Sequence, residues 1–339
     1  MEQEIKYMVC VKCMTYNQAE YIKDALNGFC MQKTDFPFVC VIVDDASTDG
    51  EQDVILKYLQ QHFDLEDDTV SRQEETDDYT LLVSRNKENK NCVFSVYFLK
   101  YNHFSINKPK NTYIQEWLNS AKYYALCEGD DYWISSQKLQ KQVAFLEIHK
   151  DVVLTCHRYK ILQVKTGKIN FDNNGRWFKN DKGILFNQSQ TDKCWLTKTL
   201  TLVYRADALG EYMNYLGTKW DIVLVYFLLK QGNGYCFNEV MGIYRESVGI
   251  FSKQTEIGKK KFEFLQHKEL YTLEKNRITR KRYYNKLIWY LWYTRGKALF
   301  EADFSFKDTF LLPYYLIKGL IRKALLLFPI KTVNDSPKQ

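Results

Sequence analysis

Five consecutive apolar residues, Val39-Cys40-Val41-Ile42-Val43, four of them β-branched, run straight into Asp44-Asp45-Ala46-Ser47-Thr48-Asp49-Gly50. A strand apolar on both faces must be covered on both sides, which demands an α/β fold with helices above and below a mostly parallel sheet. The acidic, Ser- and Gly-containing run after it is turn chemistry. An earlier strand, Met8 to Met14, ends in Thr15-Tyr16-Asn17. The next segment carries Ile22, Ala25, Leu26 and Phe29 at helical spacing, with Asn17 expected as its cap and Glu20 in the capping-box place. Strand, helix and strand make one βαβ unit with a right-handed crossover.

A third strand, Tyr123 to Leu126, runs into Cys127-Glu128-Gly129-Asp130-Asp131-Tyr132-Trp133, and a helix with Leu139, Val143 and Leu146 on its apolar side begins near Ser136. Asp130 and Asp131 thus fall in a strand-to-helix connection, where carboxylates stay solvated or share a cation. In open parallel sheets ligands bind beyond the carboxyl ends of the strands, so Thr15, Tyr16, Asn17, Asp45, Asp130 and Asp131 are expected to line one crevice. Oxygen ligands suit Mg2+ or Mn2+, and such ions keep open positions for phosphate, which points to a nucleotide-diphosphate substrate. An isolated Asp-Asp more often just begins a helix; three polar clusters at three strand ends shift the balance.

Together, Met14-Thr15-Tyr16-Asn17, Val43-Asp44-Asp45-Ala46-Ser47-Thr48-Asp49, Cys127 to Trp133 and Lys138-Leu139-Gln140-Lys141-Gln142 resemble the family 2 glycosyltransferases of GT-A fold, most of all the bacterial capsule and cell-surface polysaccharide branch. The resemblance covers residues 6 to 252. It implies a GT-A, Rossmann-like sheet and an inverting transfer from a nucleotide-diphosphate sugar, UDP-linked, to a glycan or lipid-linked acceptor. Carried over by position, it puts Asp45 on the base and Thr15, Tyr16 and Asn17 against base and ribose. Asp131 becomes the direct metal ligand, and Asp130 the contact to ribose or donor sugar.

Further on, Trp220-Asp221 opens an apolar helix ending at Gln231-Gly232, and in similar enzymes the acid at this place is the general base. Displacement at an anomeric carbon needs such a carboxylate, and a helix N-terminus favours its ionised form. From local sequence alone, a helix cap explains Asp221 equally well. A strand Tyr235 to Tyr244 then leads to Arg245, whose fork suits diphosphate oxygens, with a structural ion pair as the competing reading. Ser247 stands where relatives often carry His, so no histidine contact is carried over.

Other classes fit less well. No G-x-G-x-x-G follows the first strand, which disfavours a dinucleotide oxidoreductase. A metal-dependent sugar nucleotidyltransferase would carry a Gly-rich basic loop where Thr15-Tyr16-Asn17 stands. The non-enzyme rival is a GT-A-like binding scaffold, against which Asp45, Asp130, Asp131 and Asp221 are retained together. Cys10 and Cys13 lie three apart in a strand, facing opposite sides, and with Cys40, Cys127 and Cys156 are expected as reduced core fillers. The acidic run from Asp64 to Asp78 has the composition of an exposed connection, and Lys100, Lys108 and Lys110 follow where they could approach donor phosphates.

The chain is expected to divide into an enzyme domain, 1 to 252, and a basic helical appendage, 253 to 339, with 19 basic and 8 acidic residues against a whole-chain surplus of +7. Helices are expected over Lys259 to Arg282, Tyr283 to Phe300 and Phe304 to Phe328. The last combines apolar residues with Lys318, Arg322 and Lys323, the pattern of a helix lying on an anionic inner-membrane surface; docking on the enzyme domain or in a homo-oligomer is the alternative. No uncharged apolar stretch reaches spanning length and the N-terminus is no signal peptide, so a cytoplasmic or peripheral location is expected. The basic tail matches no nucleic-acid-binding module, and no nucleic-acid partner is expected.

Overall fold

The computed structural model describes residues 5–178, 182–191, 195–249, 254–293 and 317. It divides into two compact units, Met1–Gly249 and Ile250–Gln339.

The strands of the first unit are β1 (Tyr7–Thr15), β2 (Phe38–Asp44), β3 (Arg72–Glu75), β4 (Tyr79–Arg85), β5 (Cys92–Leu99), β6 (Ala121–Leu126), β7 (Tyr132–Trp133), β8 (Val152–Gln163), β9 (Lys168–Phe171), β10 (Ile184–Phe186), β11 (Val203–Arg205) and β12 (Asn233–Glu246). Its helices are α1 (Ile22–Cys30), α2 (Glu51–His62), α3 (Gln115–Asn119), α4 (Lys138–Ile148) and α5 (Asp221–Gln231). The sheet runs β10-β12-β8-β11-β6-β1-β2-β5-β4-β3. Its centre, β6-β1-β2-β5, is parallel, and so is the β12-β8 pair; the remaining pairings are antiparallel. The parallel character expected from the Val39 to Val43 run is therefore a property of the middle of a mixed sheet.

Every residue of β2 is buried. One face of the sheet packs Val9, Val11 and Cys13 under α1, α2 and α4; the other packs Cys10, Val39 and Val41 with residues of α3 and α5. Cys10 and Cys13 accordingly lie on opposite faces, and all eight described cysteines are free thiols. Helix α1 comes very close to β7: a Cβ at Gly28 would stand 3.0 Å from the Trp133 amide nitrogen.

Two local expectations are corrected. Asn17 does not cap α1, which starts only at Ile22 behind Tyr21 with no side-chain cap. Part of the acidic stretch is not a connection but the edge strand β3, paired antiparallel with β4. Its acids at a sheet edge discourage pairing with other chains.

The second unit shows α6 (Glu256–Leu273) and α7 (Arg277–Tyr293). The single helix expected from Lys259 to Arg282 is broken at Glu274, whose extended backbone ends α6. Within α7, Tyr283, Leu287, Ile288 and Tyr290 are buried. The segment Phe304 to Phe328 lies outside the described residues. No described helix is long and apolar enough to cross a membrane.

Candidate active site

Because the central strands run parallel, the ends of β1, β2 and β6 come out on one side of the sheet. At the end of β6 the chain turns through Cys127 to Asp131, closed by a hydrogen bond from the Asp131 amide to the Glu128 carbonyl at 3.2 Å. Asp130 and Asp131 are each only 4% exposed, so of the two expectations for the pair, solvated or sharing a cation, free solvation does not hold. Asp131 Oδ1 accepts from the Arg245 amide at 2.8 Å. Burial, then the charges of Asp130 and Glu128, push the Asp131 carboxyl well above the usual carboxylate range, against the Arg245 amide and the Lys198 cation.

Glu128 belongs to the same cluster. The residue is exposed. Desolvation by its neighbours, then the charges of Asp130 and Asp221, push its carboxyl up to about 7, with Lys198 opposing. Its electrostatic coupling to both Asp130 and Asp221 puts the acid turn and the start of α5 within electrostatic reach of each other. Glu128 was absent from the residues singled out by sequence; the acid-x-acid spacing of Glu128 and Asp130 was the available signal.

The turn rests on the end of β1. A Cβ on Gly129 would stand 2.4 Å from Thr15 Oγ1 and 2.6 Å from Gln18 Oε1, so only glycine lets these segments meet. Thr15 Oγ1 hydrogen-bonds to Glu51 Oε1 and to Gln18 Oε1 at 2.8 Å. Glu51 Oε2 accepts from the Gln18 amide at 2.8 Å and from Ser47 Oγ at 2.9 Å. Fully buried, Glu51 ties the β1 end to the loop after β2, and burial raises its carboxyl above the ordinary value. Sequence reasoning missed it because an acid in the first turn of a helix looks like ordinary dipole complementation.

The loop after β2 is held by left-handed backbone at Asn17 (φ 54°) and Ala46 (φ 59°). The Asn17 amide donates to Ser47 Oγ at 2.9 Å, and Asn17 Oδ1 accepts from the Thr48 amide at 2.8 Å. Tyr16 is 45% exposed at the mouth. Asp45 is buried, and both its oxygens are engaged: Oδ1 accepts from the His103 amide at 2.8 Å, Oδ2 from the Phe104 amide at 3.1 Å and from Lys110 Nζ at 2.6 Å. Of the about four acceptor sites of a carboxylate, three are used, and the one left is on Oδ1. The lysines expected to approach phosphate are likewise paired, Lys100 with Glu75 and Lys108 with Asp78.

Asp221 is half-buried at the first position of α5. Its Oδ1 accepts from the Ile222 amide at 2.8 Å and its Oδ2 from Thr199 Oγ1 at 3.4 Å. Arg205, the last residue of β11, donates to the carbonyls of Leu146, His149 and Val152. Arg245 is 5% exposed. Its guanidinium donates to the Asp130 carbonyl at 2.9 Å, pairs with Asp24, and lies over the rings of Tyr21 and Tyr132. The structural ion pair weighed for Arg245 is therefore formed.

A parallel-centred sheet with acidic strand ends and a carboxylate at a facing helix start is the GT-A architecture of glycosyltransferases. Residues 10–75 match the family described as "Glycosyl transferase family 2". The uncharacterized protein Rv1520 of Mycobacterium tuberculosis is 31% identical over 151 residues, 44% of this chain and 34% of that protein. The poly(ribitol-phosphate) beta-N-acetylglucosaminyltransferase TarS of Staphylococcus aureus is 30% identical over 154 residues, 44% of this chain and 20% of TarS. The chain thus matches 34% of the length of one of these relatives and 20% of the other. In structure, S. aureus TarS 1-349 in complex with UDP superposes with a TM-score of 0.53 at 16% identity, covering 94% of this chain and 83% of that one. The mannosyltransferase PcManGT of Pyrobaculum calidifontis, in complex with GDP-Man and Mn2+, gives 0.51 at 13% identity over 95% and 86%. The sequence likenesses cover less than half of this chain, and the structural ones, at 16% and 13% identity, show the GT-A fold.

Proposed function

We propose that this protein is an inverting, metal-dependent sugar transferase. It moves a sugar from a nucleotide-diphosphate donor, UDP-linked, to a hydroxyl of a glycan or lipid-linked acceptor in bacterial surface polysaccharide synthesis. The observation that carries the reading is the electrostatic coupling of Glu128 both to Asp130 in the acid turn after β6 and to Asp221 at the start of α5. TarS is a poly(ribitol-phosphate) beta-N-acetylglucosaminyltransferase with a known complex with UDP, which supports the donor and acceptor classes.

Among the described residues no three metal-competent side chains form a cluster of their own. A hard-cation site of the Mg2+ type needs only one or two carboxylates, the rest coming from substrate phosphate and water. The donor set fits that pattern: Asp131 and its neighbour Asp130 are buried, crowded carboxylates whose repulsion a cation would relieve. Asp131 would hold the ion, and Asp130 would face the ribose or donor sugar. The bound cation supplies neutralisation of the diphosphate charge.

The remaining work falls to the chain's own groups. Asp221 takes the proton of the acceptor hydroxyl as its oxygen bonds to the anomeric carbon, and the carbon–oxygen bond to the diphosphate breaks with its electron pair leaving on phosphate oxygen. One base and no protein nucleophile give inversion. Thr199 orients Asp221. Thr15, Tyr16 and Asn17 form the wall beside base and ribose, and Asp45 holds residues 103–110 at the base end. Arg245 serves the diphosphate site by fixing the Asp130-Asp131 turn from behind. Residues 1 to 252 carry the chemistry; the basic appendage from 253 onward is assigned to an inner-membrane surface or a second copy, at the cytoplasmic side.

The test is a thermal-shift panel of nucleotide sugars with and without Mn2+ or Mg2+. A ligand that binds the native state raises its melting temperature. A metal-dependent rise with a nucleotide-diphosphate sugar is expected; no rise with any of them contradicts the reading.

A further inference from the structure

The cations that sequence offered to the donor phosphates are all engaged: Lys100, Lys108 and Lys110 with carboxylates, Arg245 with Asp24 and the Asp130 carbonyl. Lys198 is different. Its ammonium sits 3.8 Å over the Tyr244 ring, and it forms no salt bridge among the described residues.

Its position is nevertheless fixed. The Lys198 amide donates to Thr201 Oγ1 at 3.1 Å, and that hydroxyl returns a hydrogen bond to the Lys198 carbonyl at 2.7 Å. Thr201 is fully buried. The next residue, Thr199, bonds Asp221, while Tyr244 precedes Arg245, whose amide holds Asp131. Lys198 therefore stands between the two halves of the crevice, and its charge is felt at both Glu128 and Asp131. An ammonium fixed among carboxylates, close enough to be felt and too far to pair, has the geometry of a group waiting for an anion brought by a substrate. A ring face beneath it holds the cation without neutralising it.

We propose that Lys198 contacts the donor's diphosphate and stabilises the negative charge that gathers on its leaving oxygen. This rests on the reading of the site as a sugar transferase. No proton is transferred in the step: the electron pair of the breaking carbon–oxygen bond goes to the diphosphate, and the ammonium remains an ammonium. Through Thr199, the next residue, Lys198 lies on the side of the site nearer Asp221. The source of the phosphate is the donor and not a phosphate-bearing acceptor, because Lys198 shares the crevice with the acid turn that faces the donor.

Lys198→Met and Lys198→Arg are compared with wild type in full-length protein, using UDP and UMP, and GDP and GMP in parallel, each with Mn2+. Wild type is expected to prefer the diphosphate to the monophosphate. In Lys198→Met that preference falls about tenfold, monophosphate affinity holds and sugar-transfer kcat falls about 10²-fold or more; Lys198→Arg recovers part of both. An unchanged ligand-free melting temperature shows that the variant folds. Unchanged diphosphate preference and kcat in Lys198→Met overturn the proposal while leaving the transferase reading intact. Failure of wild type to bind any of the four nucleotides overturns both.

Discussion

The amide of Arg245 donates to Asp131 Oδ1 at 2.8 Å, joining two residues 114 positions apart. Strand β12 thereby supports the acid turn at the end of β6, and the Arg245 guanidinium repeats the link at the Asp130 carbonyl. The arrangement fixes a carboxylate in a place where burial and its acidic neighbours oppose its charge.

Asp131→Asn follows from this. The amide oxygen can keep the Arg245 hydrogen bond while the repulsion with Asp130 and Glu128 disappears. The ligand-free variant is expected to be as stable as wild type or more so, by about 1 kcal/mol. Metal-dependent stabilisation by the nucleotide sugar should vanish. Thermal melts with and without Mn2+ and donor check both halves, and a variant that keeps its metal-dependent shift removes Asp131 from the site.

Gly129→Ala places a methyl 2.4 Å from Thr15 Oγ1. The collision is with a short side chain already bonded to Glu51, so the turn itself must move. A loss of about 1–3 kcal/mol in urea unfolding is expected, with turnover lost out of proportion. Wild-type turnover in this variant would show that the turn has slack.

Glu51→Ala strips the Gln18 amide and the hydroxyls of Thr15 and Ser47 of their buried acceptor. Unfolding free energy should drop by about 2–4 kcal/mol, in the range for breaking a buried network. Donor KM should rise in the same variant, because the walls of the crevice lose their tie. Denaturant titration and donor kinetics read the two effects separately.

Lys138 is fully buried, has no hydrogen-bond partner for its ammonium, and lies 4.1 Å over the Trp133 ring. Burial lowers its pKa to about 7, from the ordinary 10.5. Between those values the unfolded chain binds a proton that the folded chain lacks, so this group makes stability rise with pH across the window, by up to about 1.4 kcal/mol per unit. Lys138→Met should remove the rise: its stability gain over wild type is greatest below pH 7 and shrinks toward pH 9. Urea unfolding of both proteins at pH 6, 7, 8 and 9 tests the sign; a constant difference contradicts it.

What sequence revealed was the part set by local pattern. The apolar run of β2, the stripe of α1 and the start of α5 at Asp221 are written in adjacent residues, and all three stand where expected. The antiparallel edge was not seen, because β3 is charged and looks like a loop until β4 pairs with it. Asn17 has the chemistry of a helix cap but is drawn 31 residues away to Thr48, a choice made by tertiary contact. Lys198 and Glu51 escaped for a related reason: one ammonium and one carboxylate look ordinary until the chain brings their surroundings together.

The most direct test of the central claim is sugar transfer by Asp221→Asn, measured beside donor binding to the same preparation. The substitution keeps the size of the side chain and one acceptor oxygen, which can serve the Ile222 amide, and turns the other position into an NH2 that can donate to Thr199 Oγ1, while removing the base. The account predicts nearly normal metal-dependent binding of the nucleotide sugar and turnover reduced by about 10²-fold or more. Transfer at the wild-type rate would contradict it.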